Sequence, residues 1–362
     1  MTQTLLVTGG AGFIGSNFIR HSLLIRPHWR IVNLDALTYA GNAANLEDVA
    51  RQMPERYRFV HGSICDSDLL ARLLEEEEPA GVFHLAAESH VDRSIHGPQA
   101  FVETNVTGTC RLLSACHQAW ERWGQPDGFR FVHISTDEVY GSLGPKGYFT
   151  EDTPYAPSSP YSASKAASDH FVRAWHRTYG FPTIVTNCSN NYGPYQFPEK
   201  LIPLMIINLM DEQPLPIYGD GQNVRDWLYV IDHCEALVTV FEDGTAGETY
   251  NIGGGAERRN IDVVYRLCKL LDERLNRNGE QRSKRLVEFV ADRPGHDRRY
   301  AIDAGKIDRE LGWRARFKFE EALDQTVDWY LDHRKWIDDV QSGAYRNWIQ
   351  TNYAQRNERG KA

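Results

Sequence analysis

Short apolar runs alternate with segments of helical periodicity along most of the chain. The apolar runs lie at 5–7, 31–34, 57–62, 81–85, 131–134, 183–186 and 248–252. Apolar residues in 66–78, 99–120 and 161–179 instead recur every three or four positions, as on one face of a helix. Strands that alternate with helices form a parallel sheet through right-handed crossovers. The pattern therefore predicts an α/β protein with a doubly wound parallel (Rossmann) sheet.

The pattern changes after residue 187. It predicts a polar loop at 187–195, a helix at 197–209, extended segments at 214–218 and 225–230, and a helix–strand unit at 232–252. This last unit resembles the earlier ones, so we expect it to rejoin the first sheet. We predict a Rossmann domain at 1–188, to which the chain returns at about 230–255. A second, smaller α/β substrate-binding domain is expected to comprise 189–229 and 256–362.

The first strand leads into a glycine-rich turn, 8–15 (TGGAGFIG), at the start of a predicted helix. Glycines at this spacing allow a tight turn and close approach of a pyrophosphate, and the helix N-terminus offers N–H groups to it. Asp35 ends the second strand, twenty residues after Gly15. An acid there accepts hydrogen bonds from the ribose hydroxyls of NAD and disfavours NADP. We predict NAD binding; the alternative is a simple strand–turn–helix with Asp35 as a surface cap.

Polar residues follow two later strands, where the crevice of such a sheet lies. Ser89, His90 and Asp92 come after the fourth strand, and His90 is either a ligand-binding or a structural histidine. Asp137 and Glu138 come after the run at 131–134. These two acids either cap a turn or the next helix, or act chemically at the carboxyl end of the strand.

Tyr161 and Lys165 are four residues apart and share one face of a predicted helix. A lysine about 4 Å from the phenol would lower its pKa by about two to three units at an effective dielectric near 20. By itself this spacing is a common coincidence. Together with the glycine-rich turn and a strand ending in Thr136, it predicts the proton-transfer unit of an NAD-dependent short-chain oxidoreductase.

Composition excludes several classes of function. Of 362 residues, 41% are hydrophobic and 25% charged, so we expect a globular protein with a substantial core. The net charge of −9 argues against a nucleic-acid partner. The six cysteines have no zinc-site spacing, so we expect reduced thiols and no metal. With no signal-peptide pattern, and no apolar run long enough to span a bilayer, we expect a cytoplasmic protein without membrane contact.

Five segments share a combination of motifs with a known family. They are 8–15, 84–92 (HLAAESHVD), 133–141 (HISTDEVYG), 161–165 (YSASK) and 187–195 (NCSNNYGPY). Over nearly the whole chain, this combination is similar to that of the extended short-chain dehydrogenase/reductase family, and within it to the 4,6-dehydratases of dTDP-glucose. The pair Asp137–Glu138 is its most specific part, because the sugar-nucleotide epimerases of the same family usually have small or hydroxyl residues there.

The resemblance implies a reaction in three stages. NAD+ takes hydride from C4 of the glucose ring, the 4-ketone acidifies the C5 proton so that water can leave, and NADH returns hydride to C6. Tyr161 would be the base for the C4 hydroxyl, Lys165 would orient Tyr161 and the nicotinamide ribose, and Thr136 would bond the 4-oxygen. Glu138 would remove the C5 proton and Asp137 would act as the acid. The product would be dTDP-4-keto-6-deoxyglucose, a precursor of rhamnose and other deoxysugars.

The resemblance also implies which residues contact the two ligands. For NAD they are Gly9, Gly12, Phe13, Ile14, Gly15, Asp35, Ala36, Leu37, Thr38, Ser63, Ile64, Leu85, Ala86, Ala87, Glu88, Ser89, Thr104, Tyr161, Lys165 and Asn191. For the nucleotide sugar they are Ser89, Thr136, Asn190, Lys200, Leu201, Pro216, Ile217, Tyr218, Arg225, Asn260, Asp292, Arg293, Pro294, Gly295 and His296. Arg225 and Arg293 suit a diphosphate as planar donor forks. The family commonly has Asp where Ser63 stands, so we expect a weaker or rearranged adenine contact there.

Two other functions are compatible with parts of the sequence. One is an NAD-dependent 4-epimerase, or a dehydratase acting on another nucleotide-activated hexose; the epimerase shares every motif except the acid pair. The other is a catalytically silent NAD-dependent sensor or scaffold, which we would expect to have lost Tyr161, Lys165 or the acids. The motifs do not determine the nucleotide base. Because the family is commonly dimeric through helices like 99–120 and 161–179, the resemblance implies a homodimer.

Overall fold

The computed structural model describes residues 2–277, 279 and 282–341. Its strands are β1 (Gln3–Thr8), β2 (Trp29–Asp35), β3 (Tyr57–His61), β4 (Gly81–His84), β5 (Arg130–Thr136), β6 (Thr183–Cys188), β7 (Asn190–Tyr192), β8 (Leu215–Tyr218), β9 (Val224–Tyr229), β10 (Thr249–Ile252), β11 (Glu257–Arg259) and β12 (Val287–Val290). Its α-helices are α1 (Phe13–Ile25), α2 (Glu47–Gln52), α3 (Ser67–Glu77), α4 (Val91–His96), α5 (Pro98–Phe101), α6 (Thr109–Arg122), α7 (Pro160–Tyr179), α8 (Leu201–Met210), α9 (Val230–Asp243), α10 (Asn260–Arg274), α11 (Gly305–Leu311), α12 (Phe319–Asp332) and α13 (Arg334–Val340). A π-helical segment covers Val102–Gly108, and 3-10 helices cover Ala43–Leu46, Asp137–Tyr140 and Arg282–Leu286.

Seven strands form the main sheet, in the order β10-β6-β5-β4-β1-β2-β3. Every neighbouring pair in it is parallel. Each of the seven apolar runs identified in the sequence is one of these strands. The strand order reverses between β1 and β4, and such sheets bind ligands in the crevice at the carboxyl ends beside that point. The predicted doubly wound Rossmann sheet is confirmed.

Helices cover both faces of this sheet. On one face, α1 and α9 pack buried side chains such as Phe18 and Val238 against the strands. On the other face, α3 and α6 contribute Leu70 and Leu113. Because both faces of the strands are covered, the strands are apolar without alternation, as in the buried run at 5–7.

The remaining strands form a three-stranded sheet, β11-β9-β7, and a parallel pair, β12-β8. Their buried residues join those of α8, α10 and α12 in a separate hydrophobic cluster. This cluster supports the proposed second domain. However, Ile307 and Trp313, at and just beyond α11, pack in a cluster of the first sheet, although the prediction assigned them to the second domain. The end of that predicted domain, 342–362, lies outside the described residues.

Two searches of the described residues were negative. No helix in 2–277, 279 and 282–341 has both the length and the apolar character needed to cross a membrane. The same part of the chain contains no group of three or more His, Cys, Asp or Glu side chains that could hold a metal ion.

The helix predicted at 197–209 begins later than expected, because α8 starts at Leu201. Pro203 explains the difference. It stands in the first turn of α8, where a missing N–H costs no intrahelical hydrogen bond. In a helix that began at residue 197, the proline would remove such a bond and clash with the preceding turn. Residues 197–200 therefore lie in a loop.

The helix predicted at 99–120 contains the π-helical segment 102–108. Asn105 lies in this segment and is buried. Its Oδ1 accepts a hydrogen bond from Glu88 N at 2.8 Å, and its Nδ2 donates to Ser164 Oγ at 2.8 Å. A polar residue in this apolar stripe thus joins the loop after β4 to α7.

Asn45 connects the C-terminal helices to the glycine-rich turn. Its Nδ2 donates to the Ala11 carbonyl at 3.0 Å, and its Oδ1 accepts from Trp336 Nε1 at 2.7 Å. Asn17 makes a second connection, from α1 to the Pro194 carbonyl, at 2.9 Å. Helix α13 and the loop at 187–195 therefore both contact the N-terminal segment.

Phe83 tests the packing of the central sheet. Its fully buried ring lies 4.3 Å from that of Phe18 and 5.0 Å from that of Phe241, between centroids. We expect Phe83→Ala to lower the free energy of unfolding by about 3–5 kcal/mol, because it removes these contacts and leaves a cavity. Leu24→Ala, at a side chain that is 74% exposed, should change it by less than about 0.5 kcal/mol. Urea denaturation measures both, and equal losses would contradict the packing described.

Candidate active site

The glycine-rich turn packs directly against the end of β4. Gly9 has a φ of +73°, and a Cβ there would lie 2.6 Å from the Ala86 Cα. A Cβ on Gly15 would lie 2.3 Å from the Gly9 carbonyl oxygen. Gly12 is the N-cap of α1 and has no side chain to occupy the first N–H groups of the helix. The turn therefore offers uncapped N–H groups without side chains, as a phosphate site at a helix N-terminus requires.

Asp35 holds this turn in place. Its Oδ2 accepts a hydrogen bond from Ala11 N at 2.9 Å, and its Oδ1 accepts from Leu37 N at 2.8 Å. Burial raises the pKa of Asp35, and the two backbone hydrogen bonds oppose that effect. Because the side chain is buried at the end of β2, the alternative of a surface cap is wrong.

A first cavity lies at the carboxyl ends of the central strands. Of the residues predicted to contact NAD, those lining it are Gly9, Gly12, Phe13, Ile14, Gly15, Asp35, Ala36, Thr38, Ser63, Ile64, Leu85, Ala86, Ala87, Glu88, Ser89, Thr104, Tyr161, Lys165 and Asn191. Leu37 does not line it. Thr136, Asp137, Glu138, Asn190 and Lys200 line the same cavity. The structure thus brings the predicted cofactor residues and the predicted catalytic residues to one place.

A second cavity adjoins the first. The predicted substrate residues that line it are Asn190, Lys200, Leu201, Pro216, Ile217, Tyr218, Arg225, Asn260, Arg293 and His296. Ser89, Thr136, Asp292, Pro294 and Gly295 do not line it. Asp292 Oδ1 lies 2.6 Å from His296 Nδ1. Glu138, Asn190, Asn191, Gln196, Glu199 and Lys200 line both cavities. The two cavities therefore share a wall, and Glu138 is part of it.

Thr136 positions the two acids. It is the N-cap of the 3-10 helix 137–140, and its Oγ1 accepts a hydrogen bond from Glu138 N at 3.3 Å. The hydroxyl also donates to Asp137 Oδ1 at 3.3 Å. The capping group is thus the threonine, so the alternative in which the acids themselves cap the turn is wrong.

Asp137 and Glu138 occupy different environments. Asp137 is 1% exposed. Burial, followed by the charges of Glu138 and Asp226, raises the pKa of Asp137 well above its usual value and favours the protonated form. Its Oδ2 has no hydrogen-bond partner among the described residues. Burial thus favours the protonated form of Asp137 directly beside the carboxyl group of Glu138.

Tyr161 and Lys165 lie in the first turns of α7, which begins in a capping box formed by Ser159 and Ser162. Burial and the charge of Glu138 raise the pKa of Tyr161 well above its usual value. Lys165 Nζ donates to the Ile134 carbonyl at 2.8 Å. The expectation that Lys165 lowers the Tyr161 pKa is therefore wrong for the protein alone, because burial and anionic neighbours dominate. The tyrosine is held as a neutral phenol.

Arg225 and Tyr300 form one side of the second cavity. The Arg225 guanidinium lies 4.3 Å from the centroid of the Tyr300 ring and donates to the Asp297 carbonyl at 3.0 Å. The Tyr300 hydroxyl donates to Asp297 Oδ2 at 2.6 Å. The guanidinium is therefore fixed in orientation, with its charge on the cavity wall.

Several buried polar atoms on the cavity walls have no hydrogen-bond partner in the described part of the chain. They are Asp137 Oδ2, Asn190 Oδ1, Gln196 Oε1, Asn260 Oδ1 and Arg293 Nε. Buried polar groups are nearly always paired in native proteins. Atoms of this kind on a cavity wall indicate that a polar ligand supplies the missing partners.

Sequence reasoning missed some residues of the site. Glu199 lines both cavities and accepts a hydrogen bond from Arg93 Nε at 3.0 Å. Its position beside Lys200 was the signal that could have identified it. Tyr300 and Trp227 line the second cavity. Nothing in the local sequence identifies Tyr300 as a site residue. A long-range β-bridge between Val224 and the preceding residue, Arg299, brings it to the cavity.

Comparison with known proteins agrees with this geometry. Residues 6–326 match the family model described as GDP-mannose 4,6 dehydratase. The chain is 57% identical to dTDP-glucose 4,6-dehydratase 1 of Escherichia coli K12 and 56% identical to the dTDP-glucose 4,6-dehydratase of Salmonella typhimurium, over 97% of this chain and 99% of each relative. The crystal structure of the Streptomyces venezuelae dTDP-glucose 4,6-dehydratase with NAD bound has a TM-score of 0.84 and 49% identity, over 93% of this chain and 100% of that chain.

The matches extend across both groups of elements, since they include the main sheet and the segments that line the second cavity. The matched span of the family model, 6–326, also contains the positions of the acid pair after β5. The chain belongs to the dTDP-glucose 4,6-dehydratases of the extended short-chain dehydrogenase/reductase family.

Proposed function

We propose that this chain is an NAD-dependent lyase that converts dTDP-glucose to dTDP-4-keto-6-deoxyglucose and water. The acid pair carries the proposal: burial favours the protonated form of Asp137, while Glu138 lies in the wall shared by the two cavities. Elimination of water needs one group that removes a proton and another that supplies one, and these neighbours suit the two roles. The named activity of the relatives supports the same reaction.

The residues of the first cavity fit NAD. A side chain at Gly9 or Gly15 would collide with the backbone. The glycines therefore keep the turn compact and leave space for a ligand to approach its backbone closely. The Asp35 oxygens each accept one backbone hydrogen bond and retain capacity for ribose hydroxyls. Ser63 Oγ accepts from Cys65 N at 3.1 Å and keeps its O–H donor and a second lone pair for the proposed adenine contact. When bound, NAD accepts hydride from C4 of the sugar and later returns it to C6.

The first proton transfer is assigned to Tyr161. Its phenol lies beside Thr136, and together they would bind the C4 oxygen. Because burial and Glu138 keep the phenol neutral in the protein alone, Tyr161 needs nearby positive charge to accept the C4 hydroxyl proton. Lys165, held at the Ile134 carbonyl, supplies one such charge.

The elimination is assigned to the acids. Once C4 is a ketone, the C5 proton is acidic enough for Glu138 to remove it. Asp137 then gives its proton to the C6 hydroxyl, which leaves as water, and Glu138 returns a proton to C5 when hydride is delivered to C6. The raised pKa of Asp137 favours the protonated form that this role requires.

Cationic residues of the second cavity would bind the diphosphate. Arg225 and Arg293 are planar donors, and Arg293 Nε is one of the unpaired buried atoms. Lys200 donates to the Ser89 carbonyl at 2.9 Å and lines both cavities, so it would lie between the sugar and the phosphates. Tyr218 and His296, with ring centroids 6.1 Å apart, would contact the base.

The alternative is a 4-epimerase, or a dehydratase of another nucleotide-activated hexose. An epimerase needs the first cavity, Tyr161 and Lys165, but it has no use for a proton donor beside a carboxylate. The acid pair therefore favours elimination.

We further propose a cytoplasmic homodimer. Val102, Phe171 and Tyr179 are 45%, 38% and 52% exposed, and they lie on the helical segments that the family resemblance implicates in dimer formation. Large exposed apolar side chains on neighbouring helices are typical of such an interface. The cytoplasm supplies both NAD and nucleotide sugars, and the product would serve the synthesis of rhamnose or another deoxysugar.

Incubation with dTDP-glucose in deuterated water tests the reaction. We expect a 6-deoxy-4-keto sugar with deuterium at C5, because the proton removed by Glu138 exchanges with solvent. Nuclear magnetic resonance and mass spectrometry of the product measure this, and a panel of nucleotide-glucose substrates run in parallel identifies the base. A C4-inverted hexose would instead establish the epimerase, and no turnover with NAD present would refute both.

Glu138→Gln separates the two halves of the reaction. The variant should still form NADH in a single turnover but lose C5 exchange by about 10²–10⁴-fold, because its amide cannot accept the proton. Glu151→Gln is the matched control: its carboxylate accepts a hydrogen bond from Asn251 N at 2.9 Å and lines neither cavity. Exchange at the normal rate in Glu138→Gln would mean that another base acts.

Tyr161→Phe addresses the first step. We expect NADH formation in a single turnover to slow by about 10²–10⁴-fold, since the C4 hydroxyl loses its proton acceptor. Tyr140→Phe removes an equally buried hydroxyl that bonds Asn251 and lines neither cavity, and it should not slow this step. Stopped-flow absorbance of NADH compares them; an unchanged rate in Tyr161→Phe would exclude Tyr161 as the base.

A further inference from the structure

A buried carboxylate, Asp169, lies behind the carboxyl end of β5. It is fully buried on α7, four residues after Lys165. Its Oδ2 accepts hydrogen bonds from Ser135 Oγ at 2.9 Å, Tyr155 OH at 2.8 Å and Asn187 Nδ2 at 3.3 Å, and its Oδ1 accepts from His133 Nε2 at 3.1 Å. Asp169 lines neither cavity. Because Asp169 is enclosed by these donors, it cannot contact a ligand in either cavity directly.

Its partner His133 is uncharged at neutral pH. Burial, followed by the charge of Lys165, lowers the pKa of His133 to about 4. The neutral ring donates from Nε2, and its Nδ1 has no partner among the described residues. Burial alone would raise the pKa of Asp169, but the hydrogen bond and charge of His133, the charge of Lys165 and the hydrogen bond from Ser135 bring it below its usual value. Asp169 therefore carries a negative charge that His133 does not neutralise.

Lys165 is a buried cation that needs such a charge. It is 4% exposed, and its Nζ is held by the neutral carbonyl of Ile134. Burial lowers the pKa of the Lys165 ammonium, and the charge of Asp169 is the largest opposing influence. The Cys188 group also opposes it, but burial raises the pKa of that thiol to about 12, so it is neutral near pH 7.

We propose that Asp169 is a positioning residue, whose buried charge keeps Lys165 in its ammonium form against the Ile134 carbonyl and so supports proton transfer at Tyr161. The geometry of α7 allows this, because residues four apart lie on the same face of a helix. The inference rests on the proposed function only in the role given to Tyr161. The state of Lys165 itself can be measured without any reaction.

Other charged or titratable groups surround this pair. They are His84 on β4, His133 on β5, Tyr140 in the 3-10 helix 137–140, Tyr155 in the loop before α7, Arg173 on α7 and Cys188 on β6. Arg173 donates to the Tyr155 hydroxyl at 2.7 Å and thus faces Asp169 through it. His84 and His133 are both neutral near pH 7, since burial lowers the pKa of each. Asp169 is therefore the ionised acid of the group.

The test measures the protonation of Lys165 directly in the enzyme with NAD bound. Protein labelled with ¹³C at lysine Cε is titrated by nuclear magnetic resonance, and the Lys165 signal is identified by its loss in Lys165→Met. We expect Asp169→Asn to lower the Lys165 midpoint by about one to two pH units. Tyr155→Phe removes one hydrogen bond to Asp169 but leaves the charge, so its midpoint should stay near that of the wild type.

The pH profile of single-turnover NADH formation gives a second readout. In Asp169→Asn, the loss of rate at high pH should move to lower pH by the same amount as the midpoint, which a merely structural defect would not produce. Equal midpoints in Asp169→Asn and wild type would overturn the proposal. So would a wild-type Lys165 that is neutral at pH 7, a result that stands even if Asp169→Asn does not fold. Because the titration needs no turnover, inactivity on dTDP-glucose would refute the proposed function without affecting this test.

Discussion

Removal from water governs the ionisable groups at the carboxyl edge of the main sheet. Burial raises the pKa of Asp137 and Tyr161 and lowers that of Lys165, so in each case it favours the neutral form. Burial is thus the largest single reason why Asp137 and Tyr161 are held in their protonated forms. A charge persists where fixed donors compensate for the lost water, as the four hydrogen bonds to Asp169 do. Which groups of the site are charged therefore depends on which of them receive such hydrogen bonds.

The contrast between Asp137 and Glu138 shows how neighbours in sequence come to have different properties. A 3-10 helix has three residues per turn, so successive side chains point about 120° apart. The turn after β5 therefore directs Asp137 inward, within range of the buried Asp226, and Glu138 toward the wall shared by the cavities. Two identical functional groups thus have different surroundings because one short turn points them in different directions.

The sheet and much of the site were predictable because their signals are local. Strands buried on both faces are continuous apolar runs, and the topology collects whatever follows them at one edge. Pro203 could also have indicated the start of α8. By contrast, Tyr300 and Glu199 reach the site from loops without periodicity. The pKa of Tyr161 was predicted in the wrong direction because burial, followed by the charge of Glu138 from another segment, raises it, and neither effect is visible in the helical spacing.

The bridge through Asn45 has a consequence for the order in which the chain is made. The glycine-rich turn is synthesised long before Trp336, which donates a hydrogen bond to Asn45 from 291 residues further along the chain. Domains generally fold from the N-terminus during synthesis. A nascent first domain would therefore present its dinucleotide turn without this hydrogen bond until residue 336 has been synthesised.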